Sequence, residues 1–152
     1  MLYPAMIENV LVVCIGNICR SPIGEALLAV KLKSKYPTAK VSSAGLAALV
    51  DHPADPTSVA LMSARGVDIS AHRARQATPE IFFGADLVLT MTTDQQEQIE
   101  QQYTSMRGRV HRIGKWGGFD VPDPFRRPQI IFEQALSLIE QGIEELYERV
   151  WK

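Results

Sequence analysis

Cys14 and Arg20, separated by five residues in the run Val13-Cys14-Ile15-Gly16-Asn17-Ile18-Cys19-Arg20-Ser21-Pro22, have the types and spacing of a nucleophile inside an anion cradle. A loop that leaves a parallel strand and enters a helix aims successive backbone N–H groups, here those of Ile15 to Ser21, at one spot. The helix N-terminus adds partial positive charge there. Phosphate is the expected guest. The same field, with Arg20 added, favours a thiolate, so Cys14 is expected to attack well at neutral pH. Arginine suits the task because its planar fork grips two oxygens of a phosphoryl group at once.

Two residue types at one spacing also recur by chance. The alternative is that Cys14 and Cys19 are small buried hydrophobes and Arg20 a surface charge, since free cysteines are more often inert than reactive. Gly16 and Asn17 weigh against it. Both types tolerate left-handed backbone, which a tight anion loop needs and a plain strand-to-helix connection does not.

The elements that must position this loop are in register with it. Ile7 to Val13 contains Val10-Leu11-Val12-Val13, an apolar run that predicts a strand buried on both faces. After the loop Ser21 can cap a helix with Pro22 at its first position, and Ile23, Ala26, Leu27 and Val30 recur at helical spacing as its core stripe. Lys40 to Ala44 predicts a second strand ending at Gly45, followed by a loop from Leu46 to Pro56 with Pro53 and Pro56 as breakers. Thr57 to Arg65 reads as a helix that Gly66 ends.

Thr78-Pro79-Glu80 starts a further short helix, Asp86 to Thr90 is a third strand, and Thr92 or Thr93 caps a polar helix reaching about Tyr103. Arg109 to Ile113 reads as a fourth strand. Gly114 to Pro128 is a long loop, of a kind that is usually functional, and a last helix runs from about Pro128 to Val150 with Phe132, Ala135, Leu136, Ile139, Ile143 and Leu146 on one face. Strands alternating with helices predict an α/β fold. It is a doubly wound, four-stranded parallel sheet with helices on both faces, whose ligand site lies beyond the carboxyl ends of the strands. Cys14 ends the first strand, where that rule wants a site.

At 152 residues the chain suits one domain, 1–152, with a core large enough to need no staples. A formal charge of −1 with 22% charged residues argues against a nucleic-acid partner or a broad membrane surface. The two cysteines both lie in the loop, which suits a reducing compartment rather than a disulfide scaffold. Met1 to Met6 carries no lysine or arginine and reads as no signal peptide, and no apolar run approaches a membrane span, so a cytoplasmic enzyme is expected. No metal or other cofactor is expected.

Taken together, the motifs resemble the low-molecular-weight protein-tyrosine phosphatases over nearly the whole chain. They are Cys14 to Pro22, Ser43-Ala44-Gly45, Ala71-His72-Arg73-Ala74-Arg75-Gln76 and Asp123-Pro124-Phe125. Ser43 to Val50 and Met106-Arg107-Gly108-Arg109 resemble in particular the Gram-negative branch, which acts on tyrosine autokinases of capsule and exopolysaccharide export. The resemblance implies a flavodoxin-like fold and a two-step hydrolysis of phosphotyrosine through a cysteinyl-phosphate on Cys14. Ile15, Gly16, Asn17, Ile18, Cys19, Arg20 and Ser21 would bind the phosphate.

Tyrosine has an unperturbed pKa near 10, so its phenolate leaves poorly unless protonated. On the residues alone Asp123 is either a turn former or that acid; the resemblance makes it the acid, with Asp120 the nearest competitor. Ser21 is expected to donate its hydroxyl to the Cys14 sulfur as well as to cap the helix. Asn17, Ser21, Ser43 and His72 are implied supports of the loop.

Phe125 stands where members often carry tyrosine and forms one wall for the substrate ring, with Leu46 the candidate for the other. Thr92 stands where members often carry an acid. Cys19 is either loop packing or a resolving thiol for an oxidised Cys14, and the two readings stay open. No cysteine follows Cys19, which disfavours a disulfide-relaying arsenate reductase. Isoleucine at position 18 disfavours an arginine phosphatase, and Arg20 with Asp123 disfavours a phosphocarrier. The implied partner is the phosphorylated tail of a membrane-bound bacterial tyrosine autokinase, with Arg126, Arg127 and Arg75 as candidate cations for it.

Overall fold

The computed structural model describes residues 7–152, so the reading of Met1 to Met6 lies outside the described residues. Strands β1 (Asn9–Cys14), β2 (Lys40–Gly45), β3 (Leu87–Thr90) and β4 (Val110–Arg112) form one parallel sheet in the order β2-β1-β3-β4. Helices α1 (Arg20–Leu32), α2 (Pro56–Ser63), α3 (Pro79–Phe83), α4 (Thr93–Gln102) and α5 (Gln129–Val150) connect and cover it. This is the flavodoxin-like strand order, and its switch point lies between β1 and β3.

The apolar run in β1 serves two cores because side chains in a strand alternate between faces. Val10 and Val12 pack with Leu87 and Leu89 of β3 beneath Ile23 and Leu28 of α1 and Leu136, Ile139 and Ile143 of α5. Leu11 and Val13 pack on the other face with Val88, Val110, Phe82, Ile99 and Met106. Register places Val13 beside Ala44 and Cys14 beside Gly45, so both strands end together at the site.

Helix starts follow their caps. Asp55 Oδ1 accepts from Thr57 N at 2.9 Å, which makes Pro56 the first residue of α2 rather than a breaker before it. Thr78 caps α3, and Thr92 rather than Thr93 caps α4. The buried face of α5 is the one its sequence spacing predicts.

α1 departs from expectation in two ways. It begins at Arg20 with Cys19 at the cap position and no side-chain cap bond, so Ser21 does not cap it. The expected Ile23 is buried and Ala26 and Leu27 pack on the core, but Ser21, Gly24, Leu28 and Leu32 are buried as well and Val30 is exposed. Arg20 and Ser21 both turn inward toward the site, so the buried face of α1 extends beyond the predicted stripe at its start. Among the described residues no helix is long and apolar enough to cross a membrane.

Candidate active site

At the carboxyl end of β1, Cys14 opens into a pocket of about 150 Å³ lined by Ile15, Gly16, Ile18, Cys19, Arg20, Ala47, Leu49, Asp123 and Phe125. Asn17 lies beneath, fully buried, with φ of 59°. This is the left-handed backbone expected of it. Gly16, expected to share that conformation, is not among the residues with positive φ.

Asn17 organises the loop from behind. Arg75 N donates to its Oδ1 at 2.9 Å, which orients the amide, so Nδ2 donates to Ser21 Oγ at 2.8 Å and to Ser43 Oγ at 3.0 Å. Ser43 Oγ donates to Glu25 Oε1 at 2.6 Å, and His72 Nε2 lies 2.7 Å from the Asn17 carbonyl. The four expected supports therefore meet. Glu25 and Arg75 were missed in that role. Glu25 sits four residues after Ser21, on the same helical face, and that spacing was a usable signal. Arg75, expected as a surface cation, commits its Nε to the Ser43 carbonyl at 2.9 Å.

Arg20 is 3% exposed, and its Nη1 donates to the Val121 carbonyl at 2.9 Å. Nη2 lies 3.8 Å from Asp123 Oδ2, and Nε has no protein partner among the described residues. The guanidinium is thus locked in place with donors still available to an anion. Asp123 is 52% exposed at the pocket edge, and its Oδ1 accepts from Phe125 N at 3.1 Å. That bond fits the turn reading, and the same residue lines the pocket. Asp120 does not line the pocket.

The second wall differs from expectation. Leu46 packs into the core cluster with Leu11 and Val13, and Ala47 and Leu49 line the pocket instead. At Gly45 the chain passes so close to the anion loop that a Cβ would lie 2.5 Å from the Ile15 carbonyl oxygen. From there Leu46 N, Ala47 N and Leu49 N bond the carbonyls of Cys14, Ile15 and Gly16. Leu46 keeps its inward orientation while the residues after it face the pocket. Phe125 lines the same pocket, with the Arg126 guanidinium 5.1 Å from its ring centroid.

The two cysteines are free and differ in surroundings. Cys19 packs with Ile18, Ala74 and Phe132, its Sγ 3.9 Å from Asp55 Oδ2. Burial, reinforced by the Asp55 carboxylate, pushes the Cys19 thiol well above the ordinary thiol range. Cys14 instead has the Ser21 hydroxyl 3.0 Å from its sulfur.

A parallel sheet whose first strand delivers a cysteine into an arginine-closed loop is the architecture of a small α/β enzyme that handles phosphate esters. Residues 9–152 match the family described as low molecular weight phosphotyrosine protein phosphatase, and the chain belongs to that family of protein-tyrosine phosphatases, which are phosphoric monoester hydrolases. It is 44% identical over 145 residues to the "Probable low molecular weight protein-tyrosine-phosphatase EpsP" of Ralstonia solanacearum, covering 95% of this chain and 97% of the relative. It is 38% identical over 141 residues to the low molecular weight protein-tyrosine-phosphatase Wzb of Escherichia coli K12, covering 92% and 93%. The crystal structure of the Erwinia amylovora tyrosine phosphatase AmsI superposes with a TM-score of 0.89 at 33% identity, covering 97% of this chain and 95% of that one.

Proposed function

We propose that this phosphatase hydrolyses phosphotyrosine through a cysteinyl-phosphate on Cys14, and that its substrate is the phosphorylated tail of a membrane-bound bacterial tyrosine autokinase of polysaccharide export. The observation that carries the mechanism is the convergence of Cys14, Arg20 and Asp123 on one pocket, with Asp123 Oδ2 3.8 Å from Arg20 Nη2. Cys14 Sγ attacks phosphorus and the bond to the phenolic oxygen breaks, while Asp123 hands its proton to that oxygen. The loop amides and Arg20 hold the equatorial oxygens throughout. A water then attacks the phosphocysteine, Asp123 takes its proton, and the phosphorus–sulfur bond breaks to return the thiolate beside Ser21.

The ring of phosphotyrosine lies between Phe125 on one side and Ala47 with Leu49 on the other, which suits a flat apolar body with a charged tip. The autokinase partner is supported by the branch resemblance of Ser43 to Val50 and Met106 to Arg109, and a substrate tail of that kind would have the enzyme act in the cytoplasm. Arg126 and Arg127 remain the cations for an anionic tail, Arg75 being engaged with Ser43.

The test is hydrolysis of phosphotyrosine, phosphoserine and phosphoarginine peptides side by side, then of the phosphorylated autokinase from the same cell. Phosphotyrosine alone is expected to turn over, Cys14→Ser to abolish turnover while retaining phosphate binding, and the kinase to lose its label. Retained hydrolysis in Cys14→Ser would overturn the nucleophile, and an untouched kinase would overturn the partner.

A further inference from the structure

Asp120, the competing acid by sequence, stands outside the pocket and is bonded to other elements. Its Oδ1 accepts from three donors, each at 3.1 Å: Thr93 N, Thr93 Oγ1 and Arg112 Nη1. Thr93 is the first residue of α4 and Arg112 the last of β4, so one carboxylate oxygen ties the start of the acid-bearing loop to two elements at the carboxyl edge of the sheet. The next residue, Val121, is fully buried. Its N donates to the Met91 carbonyl at 2.9 Å and its own carbonyl accepts from Arg20 Nη1 at 2.9 Å.

Asp123 follows two residues later, and among the described residues its side chain is held only by Phe125 N and the distant Arg20 contact, at 52% exposure. Its place over the pocket is therefore inherited from residues 120 and 121. The Arg112 contact by itself would be weak, because its partner is 43% exposed and such pairs are screened by solvent. The backbone N–H and hydroxyl of Thr93 turn it into a geometric fixture.

We propose that Asp120 is a positioning residue for the general acid: clasped by Thr93 and Arg112, it sets where Asp123 stands relative to the leaving oxygen. The inference rests on the reading of Asp123 as the acid. A displacement of about 1 Å in a reacting group can cost on the order of 10²-fold, so the loss on releasing the clasp should be large enough to measure. It should also carry the signature of the acid, falling on substrates whose leaving group needs a proton and sparing those whose leaving group does not.

The experiment measures kcat and KM of Asp120→Ala, Asp120→Asn and Asp123→Asn with phenyl phosphate and with an activated nitrophenyl phosphate, alongside thermal melts. Asp123→Asn is expected to lose far more on the phenyl ester. Asp120→Ala should show the same pattern at about 10- to 100-fold in kcat, with little change in KM or with the activated ester. Asp120→Asn, which keeps an acceptor oxygen for Thr93, should recover part of the loss. If Asp123→Asn shows the pattern and Asp120→Ala loses equally on both esters, or nothing, the positioning role is overturned and the acid stands. If Asp120→Ala shows the pattern and Asp123→Asn does not, Asp120 is itself the acid and both statements fall.

Discussion

The Ser21 hydroxyl lies 3.0 Å from Cys14 Sγ, and the bonds behind it decide which way its hydrogen points. Ser21 Oγ already accepts from Asn17 Nδ2, whose orientation is set by the Arg75 N–H on Asn17 Oδ1. The hydrogen of Ser21 can therefore point at sulfur, where in the proposed mechanism it would stabilise the thiolate both as attacker and as leaving group.

Removing that donor should slow the return of the thiolate more than its attack. Ser21→Ala is expected to lower kcat by about 10- to 100-fold, the range for a hydrogen bond to a charged group, and to let the phosphoenzyme accumulate. Rapid-quench capture of the phosphocysteine checks it, and an unchanged steady-state level would place the role of Ser21 elsewhere.

Arg20 grips from two sides, one nitrogen on the Val121 carbonyl and the others facing the pocket. A lysine has a single donor site and cannot serve both. Arg20→Lys should lose on the order of 10²–10³-fold in kcat/KM, the cost of deleting a preorganised oxyanion donor, and should weaken vanadate inhibition in parallel. Steady-state assays with and without vanadate measure both.

The corrected pocket wall separates two neighbouring leucines. Leu49→Ala should raise KM for aryl phosphates about 3- to 10-fold through lost apolar contact, leaving inhibition by inorganic phosphate unchanged. Leu46→Ala should instead cost roughly 1–2 kcal/mol of stability, as truncation of a half-buried core side chain, with KM unaffected. Urea melts and kinetics on the same two variants distinguish the roles.

Cys19 makes an alkaline prediction. Its thiol is raised in the fold by burial and Asp55, so the folded state holds the proton more tightly than the unfolded chain. The contribution to stability is intact below the unfolded thiol value of about 8.5 and is lost as pH climbs above it, at up to about 1.4 kcal/mol per pH unit. Urea unfolding at pH 7 and pH 9.5 should show a steeper alkaline loss in the parent than in Cys19→Ala. Iodoacetamide at pH 7 should label Cys14 and spare Cys19.

Much of this protein is written in local pattern. The apolar run Val10–Val13, the left-handed tolerance of Asn17 and the one-sided face of α5 each follow from steric and solvent preferences that a short stretch expresses alone. Cys14 at the end of the first strand, with Arg20 beyond the loop, needed only the rule for parallel sheets. The supports Ser43 and His72 and the acid role proposed for Asp123 came from motif resemblance, because nothing in their own neighbourhoods points to a loop far away in sequence.

What the tertiary structure alone decided is direction. Whether Leu46 or Leu49 faces the substrate depends on how closely Gly45 passes the Ile15 carbonyl, a contact between segments that share no local pattern. Of the two contacts expected of Ser21, the cap is absent and the one to the Cys14 sulfur is present, because Asn17, Ser43 and Glu25, from three separate elements and loops, orient the hydrogen-bond chain behind it. Asp120 became a clasp because the ends of β4 and the start of α4 meet beside it. Sequence periodicity specifies which face of an element is apolar, but the aim of a polar side chain is set by partners that folding brings within about 3 Å, and those partners are distant along the chain.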